Sequence, residues 1–217
     1  MDTKPEISPT LPARERLLLA ADELFYENSI NTVGIDRVIE RAGVAKASLY
    51  DCFGSKEELI AAYLRRRQDS RKARIEQRAA QFDHPREKIL CVFDLLGEIA
   101  VKPEFRGCAF VRASADASAG GKVKAACAES RAWMLEMFTT LARECDVADP
   151  ETLGEQLVLL YDGAMIAAHV DRNRKAADEA RALVAKLLPE VPSAKPSARD
   201  RHAGKESPLT RPHRRAR

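Results

Sequence analysis

The stretch "AGVAKASLYDCFGSKEEL", residues 42–59, decides how this chain is read. Gly43 sits between two short helical patterns, 35–42 and 46–53, and Ser55 with Glu58 then forms an S-x-x-E capping box that opens a longer helix. With Ile35 as the first of twenty helix-turn-helix positions, Val38, Ala42, Val44, Leu49 and Cys52 fall inward. Gly43 lands on the turn, where a positive φ is needed. Lys46, Ala47, Tyr50 and Asp51 then point outward from the N-terminal half of the second helix, the part that meets base edges when such a helix enters a major groove. Small residues at 45 and 47 allow close approach, while Lys46 and Tyr50 can reach phosphates or base acceptors. Lys56, at the start of the next helix, adds free backbone N–H groups that favour a phosphate. The candidate contacts are Lys46, Ala47, Ser48, Tyr50, Asp51 and Lys56. The same inward positions also suit a helical hairpin packed inside an all-α domain, and spacing alone leaves both readings open.

Composition narrows the classes. The chain has 217 residues, 45% apolar and 32% charged, which suits a soluble globular protein with a core of its own. The opening "MDTKPEISPT" carries acids and no apolar run, so no secretory leader is expected there. No apolar stretch reaches the roughly 18 residues of a membrane span. Five scattered cysteines without a C-x-x-C argue against a disulfide framework, so a cytoplasmic protein is expected. Net charge is +3, yet residues 189–217 hold eight Lys/Arg against three acids, leaving 28 bases and 30 acids elsewhere. The basic balance therefore belongs to the tail and is no argument for nucleic-acid binding by the folded part.

Outside the turn the 3.6-residue period persists and strand-like alternation does not. A first helix is expected from about Leu11, with Leu17, Ala21, Leu24 and Phe25 on one face. The helix opened by Ser55 runs toward Arg78. Asp83 with Pro85 starts another, and 102–121 is a break with one short helix. Helices follow over 122–145, from Asp149–Pro150 through 170, and over 175–188. Beyond Pro189, Pro, Ser, Ala and Arg without apolar periodicity predict disorder. The predicted fold is all-α. It comprises an N-terminal arm over 1–10, a three-helix helix-turn-helix domain over 11–55, a helical effector-binding and dimerisation domain over 56–188, and a disordered basic tail over 189–217.

Residues 14 to 64 resemble the DNA-binding domain of the tetracycline-repressor (TetR) family. "LLLAADELF", "GIDRVIERAGVAKASLY" and "FGSKEEL" match that family's pattern in order and spacing. "FRGCAFVRASAD" and "LVLLYDGAMIAAHVD" look like stretches of one branch. The resemblance implies a homodimeric one-component regulator that binds a double-stranded operator, with a second helical domain that takes a small molecule and re-spaces two reading heads. Family members commonly carry Ser where Ala45 stands, Gly for Ala47, His or Arg for Asp51, and Tyr or His for Cys52. Ala45 forfeits a capping hydroxyl, and Asp51 alters the base readout.

For an apolar or amphipathic effector, the candidate lining is Phe93, Leu96, Cys108, Phe110, Cys127, Trp133, Met137, Tyr161 and Met165. Trp133 and Tyr161 each bring one polar atom to an apolar site. The helix over 153–170 is apolar nearly all round, which implies a second buried face against another copy. Leu157, Leu160, Ala164, Ala168, Leu183 and Leu187 are the candidate seam.

Enzyme readings lack their residues. "SAGGKV" approaches a phosphate loop, but Asp116 stands where its first Gly belongs and Val123 where Ser or Thr is required. His84, His169, His202 and His213 lack metal-ligand spacing, and no cofactor is expected. Arg65, Arg66 and Arg67 read as a solvated face or, alternatively, an inter-domain surface. The cysteines read as buried thiols, with a redox sensor as the alternative input. The function expected is a DNA-binding regulator, a repressor released from a palindromic operator by an effector. A helical binding or scaffold protein without specific DNA affinity is the alternative, for which Asp51 and the acidity of the folded part speak.

Overall fold

Helix starts and stops follow local chemistry. In the computed structural model, which describes residues 7–117 and 121–190, α1 spans Ala13–Glu27 directly after Pro12. Next come α2 (Ile35–Ala42) and α3 (Lys46–Phe53). Between them Gly43 adopts φ 62°, ψ 41°, and the N–H groups of Gly43 and Val44 bond back to the carbonyls of Glu40 and Ile39. A side chain is disfavoured in that left-handed conformation, so the glycine sets the sharp turn. The helix α4 (Lys56–Ala79) begins where Ser55 Oγ accepts the Glu58 N–H at 3.1 Å. Then follow α5 (Pro85–Ala100), α6 (Ala109–Asp116) and α7 (Lys122–Glu144). Asp149 accepts the Thr152 N–H at 3.0 Å and opens α8 (Pro150–Val170); α9 (Ala176–Leu187) closes the described chain. These bonds to Thr152 hold the Asp149 carboxyl below its usual range. The expected helices are all present, and no strand occurs among the described residues.

Two apolar cores organise the helices. The first joins Leu17, Leu24 and Phe25 of α1, Val38 of α2 and Leu49 of α3 to Leu59, Tyr63 and Leu64 of α4. It continues into Phe110 and Ala113 of α6 and Val123 and Cys127 of α7. The Phe25 and Tyr63 rings meet edge to face at 5.6 Å. The second core gathers α5, α7, α8 and α9 around Phe93, Phe138 and Tyr161, with Ile75 contributed from the far end of α4. The first core thus runs through position 55 without a break, and α4 and α7 pass through both cores.

Ion pairs brace α1 against its neighbours. Arg41 forks onto Glu23 at 2.7 Å and Arg67 onto Asp22 at 2.7 Å, and Arg66 Nη1 pairs with Glu15 at 2.5 Å. Arg67 also lies 3.6 Å over the Tyr26 ring. Arg66 and Arg67 are therefore bracing residues, not a solvated face, because α1 brings carboxylates to them; Arg65 alone stays exposed. The expected tail falls outside the described residues from 191 onward, as do residues 1–6 of the expected arm.

Candidate nucleic-acid interface and effector cavity

The outward face of α3 carries Lys46, Ala47, Tyr50 and Asp51, all exposed, with Ser48 and Lys56 half-buried at its flanks. Leu49 and Phe53 hold the opposite face in the first core, and Val44 and Cys52 pack against that core as partly buried residues. The helix position is fixed by more than apolar packing. Arg16 of α1 donates to the Gly43 carbonyl at 3.0 Å, tying the turn to the first helix. Lys46 pairs with Asp36 at 3.0 Å, and that exposed partner raises its pKa. Both side chains are solvated, so the pair is weak and Lys46 is available to a phosphate. Asp51 makes no hydrogen bond or ion pair with a described residue, so it does not orient Lys46. Ala45 has the extended backbone of an N-cap, φ −72°, ψ 153°, but offers no side-chain acceptor. Burial lowers the pKa of Lys56.

Between the two cores lie two adjoining cavities of about 760 and 670 Å³. Arg71, Cys108, Phe110 and Tyr161 line both, so the cavities meet at these residues. Met165 lines the larger, beside α1 and the 101–108 segment; Cys127 lines the smaller, with Met134 and Val158. Of the nine candidate lining residues, Cys108, Phe110, Cys127, Tyr161 and Met165 come together here. The other four do not line either cavity. Phe93 and Leu96 are turned into the second core, where they are 0% and 1% exposed. Met137 packs half-buried against that core. Trp133 lies beside the cavity, its ring 5.6 Å from the Arg71 guanidinium and 5.3 Å from the Lys72 ammonium.

One lining thiol, Cys127, is chemically quiet, as is the buried Cys91 of α5. Burial pushes Cys127 up to about 11, and Cys91 likewise up to about 11. Cys127 Sγ donates to the Phe110 carbonyl at 3.3 Å. A thiol so held is a poor nucleophile at neutral pH. Burial also pushes the Tyr161 phenol up to about 12, so it stays a neutral donor.

The cavity wall touches the helix-turn-helix unit directly. Tyr26 Oη of α1 donates to the Gly107 carbonyl at 3.1 Å and accepts the Arg106 N–H at 3.0 Å. Arg112 of α6 donates to the Tyr26 carbonyl at 2.7 Å and to the Asn28 carbonyl at 2.5 Å, over the end of α1. Gly107 has φ 76°, and an added Cβ would meet the His169 ring at 2.9 Å. His169, near the end of α8, also faces Phe105 edge-on at 6.0 Å, and burial lowers its pKa ahead of Arg112 and Arg106. The 105–107 turn is thus held between α1 and α8.

The proposed seam needs a new helical phase. Leu157 and Ala164 are buried in the chain's own second core, at 0% and 5% exposure, and cannot meet another copy. They lie on the α8 face that packs with Leu153, Tyr161 and Met165. The opposite face exposes Leu159, Ile166 and Val170, beside exposed Leu183 and Leu187 of α9. Leu160 and Ala168 are half-buried at the edge.

A helix-turn-helix braced on α1 and followed by a larger helical body suits a DNA-binding regulator. Residues 17–63 match the model of bacterial regulatory proteins of the tetR family. A TetR-family transcriptional regulator from Streptomyces coelicolor is 31% identical, with a TM-score of 0.76 over 82% of this chain and 96% of that one. A TetR-type regulator from Streptomyces avermitilis is 29% identical, with a TM-score of 0.74 over 82% and 98%. The chain belongs to the TetR family of transcriptional regulators. Among curated relatives, the HTH-type transcriptional activator FasR of Mycolicibacterium smegmatis is 44% identical over 63 residues, 28% of this chain and 29% of that protein's length. No helix among the described residues is long and apolar enough to cross a membrane.

Sequence reasoning missed Arg71, Tyr26 and Met134. For Arg71 a signal existed: Leu64, Gln68, Arg71 and Ile75 are spaced four, three and four, which puts the arginine in the stripe that α4 buries.

Proposed function

We propose that this chain is a homodimeric repressor that binds an inverted-repeat operator through α3 and leaves it when a small molecule fills the cavities between its cores. The observation that carries the reading is the bond from Tyr26 of α1 to Gly107 in the cavity wall. A ligand in the larger cavity presses on that wall, and the wall is fastened to the helix that positions the turn through Arg16. Such an effector shifts an equilibrium only by its differential affinity for the two arrangements, so operator and effector weaken each other reciprocally.

The exposed apolar strip of Leu159, Ile166, Val170, Leu183 and Leu187 supports dimerisation through α8 and α9. The name activator belongs to the FasR relative, whose match spans 63 residues, 28% of this chain. The test is a selection of bound fragments from the source genome with purified full-length protein. The reading predicts one enriched inverted repeat with half-sites about one helical turn apart or somewhat more. Recovery of unrelated sequences would favour a helical binding protein without specific DNA affinity.

A further inference from the structure

The cavities hold a cation with no counter-ion. Arg71 Nη2 donates to Gln68 Oε1, to Ser130 Oγ at 2.5 Å and to the Ser130 carbonyl at 3.4 Å, all neutral acceptors. Its guanidinium lies 4.8 Å over the Phe110 ring. Its Nε is buried without a partner, and no carboxylate among the described residues pairs with it. Asp162 lines the same cavity but pairs with Arg131 at 2.5 Å. Lys124, also in the lining, donates to Ser114 and not to an acid.

A second donor faces the same space. Tyr161 is 5% exposed and lines both cavities, yet its hydroxyl makes no hydrogen bond with a described residue. An uncompensated buried charge is costly, and an anion that accepts from a guanidinium removes that cost while forming charge-assisted bonds. Phe110, Val111, Cys127, Met134 and Val158 give the smaller cavity an apolar wall.

We infer that the effector is an anionic amphiphile whose acid group meets Arg71 and Tyr161 and whose apolar body lies along Phe110, Cys127, Met134 and Val158. The inference rests on the reading of these cavities as the effector site and adds the ligand's charge. Neutral or cationic apolar molecules leave Arg71 unpaired and bind less tightly.

Two fluorescent probes of one shape test it, 8-anilinonaphthalene-1-sulfonate and its uncharged counterpart N-phenyl-1-naphthylamine, titrated against full-length protein. The wild type should bind the sulfonate at least about tenfold more tightly, as a charge-assisted bond implies. Arg71→Met should abolish that preference while the uncharged probe still binds, which also shows that the cavity has folded. Arg71→Lys keeps the charge and should retain part of the preference, and Tyr161→Phe should weaken the sulfonate alone. Equal affinity of the wild type for both probes, or an Arg71→Met variant that still prefers the sulfonate, overturns the anion inference and leaves the cavity reading intact. Failure of both probes to bind the wild type overturns both.

Discussion

The hydroxyl of Tyr26 and the carbonyl of Gly107, 81 residues apart in the chain, meet at 3.1 Å. One oxygen of α1 thereby holds the turn that walls the larger cavity, while the same side chain's ring carries the Arg67 guanidinium. Tyr26→Phe keeps the ring and removes two hydrogen bonds. It should lower stability by about 1–2 kcal/mol, read from thermal or urea unfolding. Operator affinity should change less than about threefold, because the reading face itself is untouched, whereas the loss of affinity on filling the cavity should shrink. A variant that responds to cavity ligands as fully as the wild type would place the coupling elsewhere.

Leu159 and Leu157 sit two residues apart on α8 but on opposite faces, about 200° round the helix. Leu159→Asp adds a charge to the exposed strip and should give a folded monomer in sedimentation at micromolar concentration, with operator binding much reduced. Leu157→Ala opens the chain's own core and should cost about 2–5 kcal/mol of stability. An associated Leu159→Asp variant would remove this face from the dimer account.

Ala45 has the backbone of an N-cap without an acceptor. Ala45→Ser supplies one to a free N–H of α3 and should raise stability by about 1 kcal/mol. An unchanged unfolding midpoint would mean that the added hydroxyl does not reach those groups.

Asp51 stands unpartnered on the outward face of α3, beside Tyr50. A carboxylate accepts from a cytosine N4 amino group but repels phosphates, so on a recognition helix it would select by exclusion. Asp51→Asn should raise affinity for random DNA and relax the preference at one base pair of each half-site, by roughly 1–3 kcal/mol of discrimination. Identical specificity profiles for the two proteins would make Asp51 a bystander.

The buried thiols offer a pH test. Because burial holds Cys127 near 11, it stays protonated across pH 7–9. Alkylation of the native protein should leave Cys127 far slower than a free cysteine, which ionises near about 8.5. Rapid native-state labelling of Cys127 would reopen the redox reading.

Helix boundaries were legible because their signals are local. Gly43, the Ser55–Glu58 box and the Asp149–Pro150 start each act within one turn of themselves. The outward face of α3 was legible for the same reason, since Leu49 and the turn fix its phase. The cavity and the seam were not. The α8 helix is apolar on both faces, so its phase depends on how Phe138 and Thr139 of α7 pack against it, which periodicity does not carry. Arg71 was hidden among seven bases between positions 65 and 78. Only the register of Leu64, Gln68 and Ile75 sets it apart.

If the outer face of α3 reads DNA, removing its side chains must remove the specificity. The most direct measurement compares wild type with a Lys46→Ala, Tyr50→Ala double variant on the selected inverted repeat and on a scrambled duplex, at fixed salt. Both side chains are exposed, so the variant should keep its unfolding midpoint and its mass in solution. The wild type should prefer the repeat by at least about a hundredfold, and the variant should lose most of that preference. Equal discrimination by the two proteins, with the fold intact in both, would contradict the account.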